Sequence, residues 1–107
     1  MSNQEKTVLE LKALQDEGHP FQLIDVREPH EYDMANLGGE LIPLGTVVNE
    51  KDKIRQDVPV IVHCRSGARS AAAISELEKR FGFTNLYNLK GGIMAYAREI
   101  DPSLTVM

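Results

Sequence analysis

One cysteine, Cys64, stands in the run His63-Cys64-Arg65-Ser66-Gly67-Ala68-Arg69-Ser70. A lone cysteine is ordinarily a small buried hydrophobe, but these neighbours supply what a nucleophilic thiol needs. The run follows the apolar segment Pro59-Val60-Ile61-Val62 and leads into Ser70-Ala71-Ala72-Ala73, so it lies between a strand and a helix start. Backbone amides in such a loop can point inward, forming a nest at the positive end of a helix. Gly67 permits the tight curve, and the small Ala68 does not block it. Arg65 and Arg69 place two guanidinium groups on the rim, reversing locally a net charge of -4. A thiol so placed ionises below its free value of about 8.5, and the thiolate is the nucleophile. Charge gathered against the trend of the whole chain points to chemistry more than to packing.

The elements that must position this loop read as alternating strands and helices. Thr7-Val8-Leu9-Glu10 has the form of a capping box, Val8, Leu11 and Leu14 make an apolar stripe, and Gly18 with Pro20 ends that helix. Residues 21–26 form a short apolar run suited to a buried strand. Pro29 opens a short helix that ends near Gly38-Gly39, and residues 40–43 suit a further strand. The spacing predicts a helix over residues 46–54, on a poor apolar stripe. Residues 59–63 are apolar on both faces, as a central parallel strand requires. Residues 70–81 predict a helix with Ile74, Leu77 and Phe81 inward and Gly82 as its end cap. Residues 85–89 predict a last strand, and Ile93, Tyr96, Ala97 and Ile100 follow helical spacing up to Asp101-Pro102. Such alternation implies an α/β fold: an open, mostly parallel sheet of four or five strands with helices on both faces. Ligand sites in such sheets lie beyond the carboxyl ends of the strands, where Cys64 stands.

Length and composition narrow the function further. A chain of 107 residues suits one domain over 1–107, and 42% hydrophobic with 26% charged residues is globular composition. The acidic balance argues against nucleic acid and acidic membranes as partners. The polar opening Met1-Ser2-Asn3-Gln4-Glu5-Lys6 has no signal pattern, and no apolar run approaches the roughly 18 residues of a membrane span. A cytoplasmic protein is expected. One cysteine excludes a disulfide within the chain, and three scattered histidines give no metal-ligand spacing. His63, adjacent to Cys64 on a strand, is expected to face the other way and pack. His19 reads as a turn residue, and His30 as flanking the short helix. The Glu50-Lys51-Asp52-Lys53 run reads as a solvated face. Gly91-Gly92 lacks the lysine of a nucleotide loop and reads as a junction near the site.

The Cys64 loop resembles the active-site loop of the rhodanese family. Leu23-Ile24-Asp25-Val26-Arg27-Glu28-Pro29-His30-Glu31-Tyr32 is similar to that family's first signature, and Asn88-Leu89-Lys90-Gly91-Gly92-Ile93 to its later strand-to-helix junction. The likeness runs from about residue 7 to 102, with the motifs in matching order. It implies that Cys64 takes up a sulfane sulfur as a persulfide. The amides of Arg65, Ser66, Gly67, Ala68, Arg69 and Ser70 would cradle it, and the Arg65 and Arg69 side chains would attract an anionic donor such as thiosulfate. The acceptor would be cyanide, a dithiol or a protein thiol, with no cofactor. Asp25, Arg27 and Glu31 would be structural, with Arg27 held by nearby carboxylates.

Loop length separates this resemblance from a neighbouring one. Cysteine phosphatases and arsenate reductases carry one more residue between Cys and Arg. Here four residues separate Cys64 from Arg69, and Ser70 holds the phosphatase arginine position. Two arginines in the loop favour thiosulfate or a protein persulfide over mercaptopyruvate. The loop, the Gly91-Gly92 junction and Ile100-Asp101-Pro102-Ser103-Leu104 resemble rhodanese domains fused behind adenylyltransferases that activate sulfur-carrier proteins. The alternatives are a relay module served by a protein acceptor and a binding module that keeps the fold without the chemistry.

Overall fold

The computed structural model describes residues 4–106. Five strands, β1 (Glu5–Lys6), β2 (Gln22–Asp25), β3 (Glu40–Leu41), β4 (Val60–His63) and β5 (Leu86–Leu89), form one sheet in the order β1-β5-β4-β2-β3. Every pairing is parallel. Four helices, α1 (Val8–Glu17), α2 (Pro29–Met34), α3 (Ala68–Phe81) and α4 (Gly92–Glu99), alternate with the strands. None of the described helices is long and apolar enough to cross a membrane. The expected α/β sheet with helices on both faces is therefore present, with five strands.

Strand alternation sorts the core into two layers. Val60 and Val62 of β4, with Ile24, Val26 and Leu86, face Ala73, Ile74 and Leu77 of α3. Ile61, between the two valines, faces the other way with Leu23 and Leu89 against Val8, Leu11, Ala95 and Tyr96 from α1 and α4. Cys64 belongs to the α3 layer. The capping box at α1 is made: Thr7 Oγ1 accepts from the Glu10 amide at 3.1 Å, and Glu10 Oε1 accepts from the Thr7 amide at 2.8 Å.

Three sequence expectations are corrected. Residues 46–54 do not form a helix but two short 3-10 turns, Leu44–Thr46 and Lys51–Lys53. Gly45 and the β-branched run Thr46-Val47-Val48 favour no helix there, and side chains from elsewhere in the chain hold the backbone at its end and just after it. Gln22 donates to the Lys53 carbonyl at 2.8 Å and accepts from the Arg55 amide at 2.8 Å. Asn85 donates to the carbonyls of Arg55 and Val58. Phe81 likewise does not turn inward. It remains 37% exposed under the Lys51 ammonium, 5.1 Å from its ring, and Phe83 fills the core instead. α3 also starts at Ala68, two residues earlier than the spacing predicts, with Gly67 at φ +119° before it. A first turn at Ala68 and Arg69 brings the helix amides up to the cysteine.

Candidate functional site

β4 lies at the centre of the sheet with β2 on one side and β5 on the other, and the chain changes direction of winding between β2 and β4. Cys64 follows the last residue of β4, so it stands at the switch point. Its side chain is 1% exposed, and its sulfur is surrounded by donors. The Gly67 amide donates to Cys64 Sγ at 3.1 Å and the Ser70 amide at 3.4 Å, with the Ser70 hydroxyl also at 3.4 Å. Burial pushes the Cys64 thiol up. The Ser70 hydroxyl and the amides of Ser70, Gly67 and Ser66 overcome this and hold it below its ordinary value. Hydrogen bonds from the loop amides and the Ser70 hydroxyl thus favour the thiolate.

The loop is held from behind by α4. The amides of Ile93 and Met94, in the first turn of that helix, donate to the carbonyls of Cys64 at 3.0 Å and Arg65 at 3.1 Å. Gly92, at φ +62°, lies so close that a Cβ there would fall 2.5 Å from the Arg65 carbonyl oxygen and 2.6 Å from that of Cys64. With its carbonyls drawn back toward α4, the loop is left to turn amides toward the sulfur. The Gly91-Gly92 pair is therefore a junction that clamps the Cys64 loop.

The remaining loop residues are dispersed. Arg65, Ser66 and Ala68 are exposed, while Gly67 and Arg69 are half-buried and Ser70 is buried. The sequence offered Arg69 as an attractor of anions, but its guanidinium is taken: Nη1 and Nη2 donate to the two oxygens of Glu31 at 2.7 and 2.9 Å. Glu31 accordingly serves Arg69, not Arg27. Arg27 is fully buried and is held by Asp25, with Nη2 donating to Oδ2 at 2.8 Å and to the Ala35 carbonyl at 2.7 Å. His63 lies on the Ile61 side of the sheet, away from the thiol. Its Nδ1 is 3.5 Å from the Cys64 carbonyl oxygen, and its buried Nε2 makes no hydrogen bond among the described residues, 3.7 Å from Asp25 Oδ2. Burial lowers its affinity for a proton, and the ring packs in the core. Among the described residues no cluster of His, Cys, Asp and Glu is placed to hold a metal ion.

The family model described as the Rhodanese-like domain matches residues 7–99. The chain belongs to the rhodanese-like domain family. It is 35% identical over 103 residues to the probable adenylyltransferase/sulfurtransferase MoeZ of Mycobacterium tuberculosis, covering 94% of this chain and 26% of MoeZ. It is 44% identical over 80 residues to the uncharacterized protein YqhL of Bacillus subtilis, covering 74% of this chain and 63% of YqhL. The chain thus spans about a quarter of the first relative and under two thirds of the second. The crystal structure of a rhodanese-like domain protein from Staphylococcus aureus superposes with a TM-score of 0.81 at 28% identity, covering 97% of this chain and 98% of that one.

One residue of this rhodanese-like site escaped the sequence reading. Asn88, in the middle of β5, accepts from the Ser70 hydroxyl at 2.6 Å and donates to the Gly67 carbonyl at 3.1 Å. The signal for it was a polar side chain inside a strand otherwise written Leu86, Tyr87 and Leu89.

The ion pair over the rhodanese-like site has a measurable pH signature. The Arg69 guanidinium holds the Glu31 carboxyl at about 2, below the ordinary 4.5, against the upward push of burial and with help from the Glu28 amide. A carboxyl lowered on folding contributes stability that is complete above its unfolded value and lost as pH falls toward the folded one. Wild type is expected to exceed Glu31→Gln in stability by about 1–2 kcal/mol at neutral pH, a modest figure because solvent screens the half-buried Arg69. That advantage should disappear between pH 4.5 and about 2. Denaturant midpoints across this window measure it, and an advantage that does not change with pH would rule the pairing out as its source.

Proposed function

We propose that this chain is a sulfurtransferase that carries sulfane sulfur as a persulfide on Cys64, in one rhodanese-like domain. The observation that carries the reading is the set of backbone amides donating to the buried Cys64 sulfur, from Gly67 and Ser70, with the Ser70 hydroxyl 3.4 Å away. In the first step the Cys64 thiolate attacks the outer sulfur of thiosulfate. A sulfur–sulfur bond forms to Cys64, the donor's own bond breaks, and sulfite leaves with the electron pair. The persulfide so formed is anionic, and loop amides that stabilise a thiolate also suit a negative charge one atom farther out. In the second step a thiophilic acceptor such as cyanide or a thiolate attacks that outer sulfur and returns Cys64 to the thiolate. This is a double displacement on a covalent intermediate. With Cys64 the only cysteine, no internal thiol can release the persulfide as a disulfide, so the acceptor is external.

One observation favours a protein persulfide as donor beside thiosulfate. Arg69 is already bound through both terminal nitrogens to Glu31, which leaves less cationic surface for a small oxyanion than two loop arginines suggest. MoeZ, the relative named an adenylyltransferase/sulfurtransferase, supports a place in sulfur relay between proteins.

The test is the intact mass of reduced, desalted protein before and after exposure to thiosulfate or to a small-molecule persulfide. The expected result is a gain of one sulfur atom, removed by cyanide and absent in Cys64→Ser. No gain with either donor would overturn the reading in favour of a module that binds without chemistry.

A further inference from the structure

The Ser70 hydroxyl has one proton and three neighbours that compete for it. Asn88 Oδ1 lies 2.6 Å away, the Gly67 carbonyl oxygen 3.2 Å and Cys64 Sγ 3.4 Å. The Asn88 amide is not at liberty to turn over, because its Nδ2 donates to the Gly67 carbonyl at 3.1 Å. Its Oδ1 must therefore face Ser70, and an amide oxygen only accepts. At the shortest of the three distances, it takes the hydroxyl proton. Toward Cys64, Ser70 Oγ then presents a lone pair, which suits an S–H donor and opposes a thiolate. For the thiolate to be stabilised, the hydroxyl must rotate its proton from Asn88 to the sulfur and give up a short hydrogen bond.

We propose that Asn88 is a positioning residue that sets the thiolate fraction of Cys64 by competing with its sulfur for the Ser70 proton. The inference rests on Cys64 being the sulfur-carrying nucleophile and adds how that nucleophile is held in check. The step is a rotation about the Ser70 C–O bond, with no covalent bond made or broken. In the free thiolate the proton turns to Sγ. Once sulfur is loaded, the negative charge sits on the outer atom and Sγ is neutral, so the proton returns to Asn88. Gly67 does not depend on Asn88 alone, since its carbonyl also accepts from the Ala71 amide at 3.1 Å.

The other charged or titratable groups around Cys64 are untouched by a change at Asn88. They are Arg65 in the loop, Arg69 of α3 with Glu31 of α2 bound to it, and Asp25, Arg27 and His63 across the sheet. The experiment is the pH titration of Cys64, followed by thiolate absorbance and by the rate of alkylation. It compares wild type, Asn88→Ala, Asn88→Asp, Ser70→Ala and both Asn88 variants in the Ser70→Ala background. With the competing acceptor gone, Asn88→Ala should shift the midpoint down by about one pH unit, a tenfold gain in thiolate below it. Asn88→Asp, a stronger acceptor of the same shape, should shift it up. Without the Ser70 hydroxyl the Asn88→Ala shift should vanish, and the Asn88→Asp shift should shrink to what its charge exerts through space. A shift that is absent, reversed or equally large in the Ser70→Ala background would overturn the role. Should Asn88→Ala fold poorly, the Asp pair of variants decides by the same comparison. The titration needs no sulfur transfer. A chain that titrates as stated but loads no sulfur would sink only the proposed function, and one that loads sulfur with an unmoved midpoint only the role of Asn88.

Discussion

Gly92→Ala is expected to lose most sulfur loading on Cys64 and to destabilise the fold by about 2–5 kcal/mol. Two costs combine at this position. An alanine at φ +62° pays about 1–2 kcal/mol for left-handed backbone. Its Cβ would also meet the Arg65 and Cys64 carbonyl oxygens at 2.5 and 2.6 Å, and forcing a packed contact apart costs about 1–3 kcal/mol. Relief can come only from moving the loop away from α4, which breaks the hydrogen bonds from the Ile93 and Met94 amides. The amides on the sulfur are then no longer fixed. Chemical denaturation gives the first number, and mass after exposure to a sulfur donor gives the second. Gly82→Ala makes the control, since a Cβ there is strained by φ +72° but meets nothing within 4 Å. If both variants lose the same stability and both load sulfur, the clamp is not what holds the loop.

Arg27→Met is expected to cost about 3–5 kcal/mol, a large share of the roughly 5–15 kcal/mol available to a domain. Both partners of the pair are buried, Asp25 fully and Arg27 to within 1%. Methionine fills much of the space but leaves the Asp25 carboxylate in the core with one backbone donor, the Arg27 amide at 3.0 Å, and the Ala35 carbonyl without its partner. Removing both charges together, as in Asp25→Asn with Arg27→Met, should recover part of the loss, because a buried ion pair costs more to break than to delete. Equilibrium unfolding of the two single variants and the double gives the coupling directly. Single losses that simply add would show that the pair is not the unit of stability here.

The parts of this architecture that show in the sequence are those where one residue reports its own surroundings. A run such as Val60-Ile61-Val62 is apolar on both faces, and only a strand covered on both sides satisfies it. Gly67, Ala68 and the alanines after Ser70 mark a close-fitting loop for the same local reason. What stayed hidden is pairing between distant positions. Glu31 and Arg69 are 38 positions apart on two helices, and nothing local says that Glu31 turns to Arg69 when Arg27 is nearer in sequence. Asn88 was visible as an oddity within its strand, but its partner Ser70 depends on how α3 sits over β5. The misread helix at residues 46–54 fails likewise. Its spacing permitted a helix, and the side chains of Gln22 and Asn85, from other parts of the chain, claimed the neighbouring backbone.

The short strand β1 bears on the order in which the molecule assembles. Gln4 reaches the Leu86 carbonyl at 2.9 Å, 82 positions along the chain, and among the described residues β1 pairs only with β5. A ribosome delivers residues 4–6 well ahead of their partner strand, so this segment must wait, unseated, until β5 has docked on β4. Contacts so distant in sequence slow the final closure of a fold. β1 and α1, which it precedes, are thus expected to be the last region to gain protection from hydrogen exchange during refolding, long after β2 and β4 have joined.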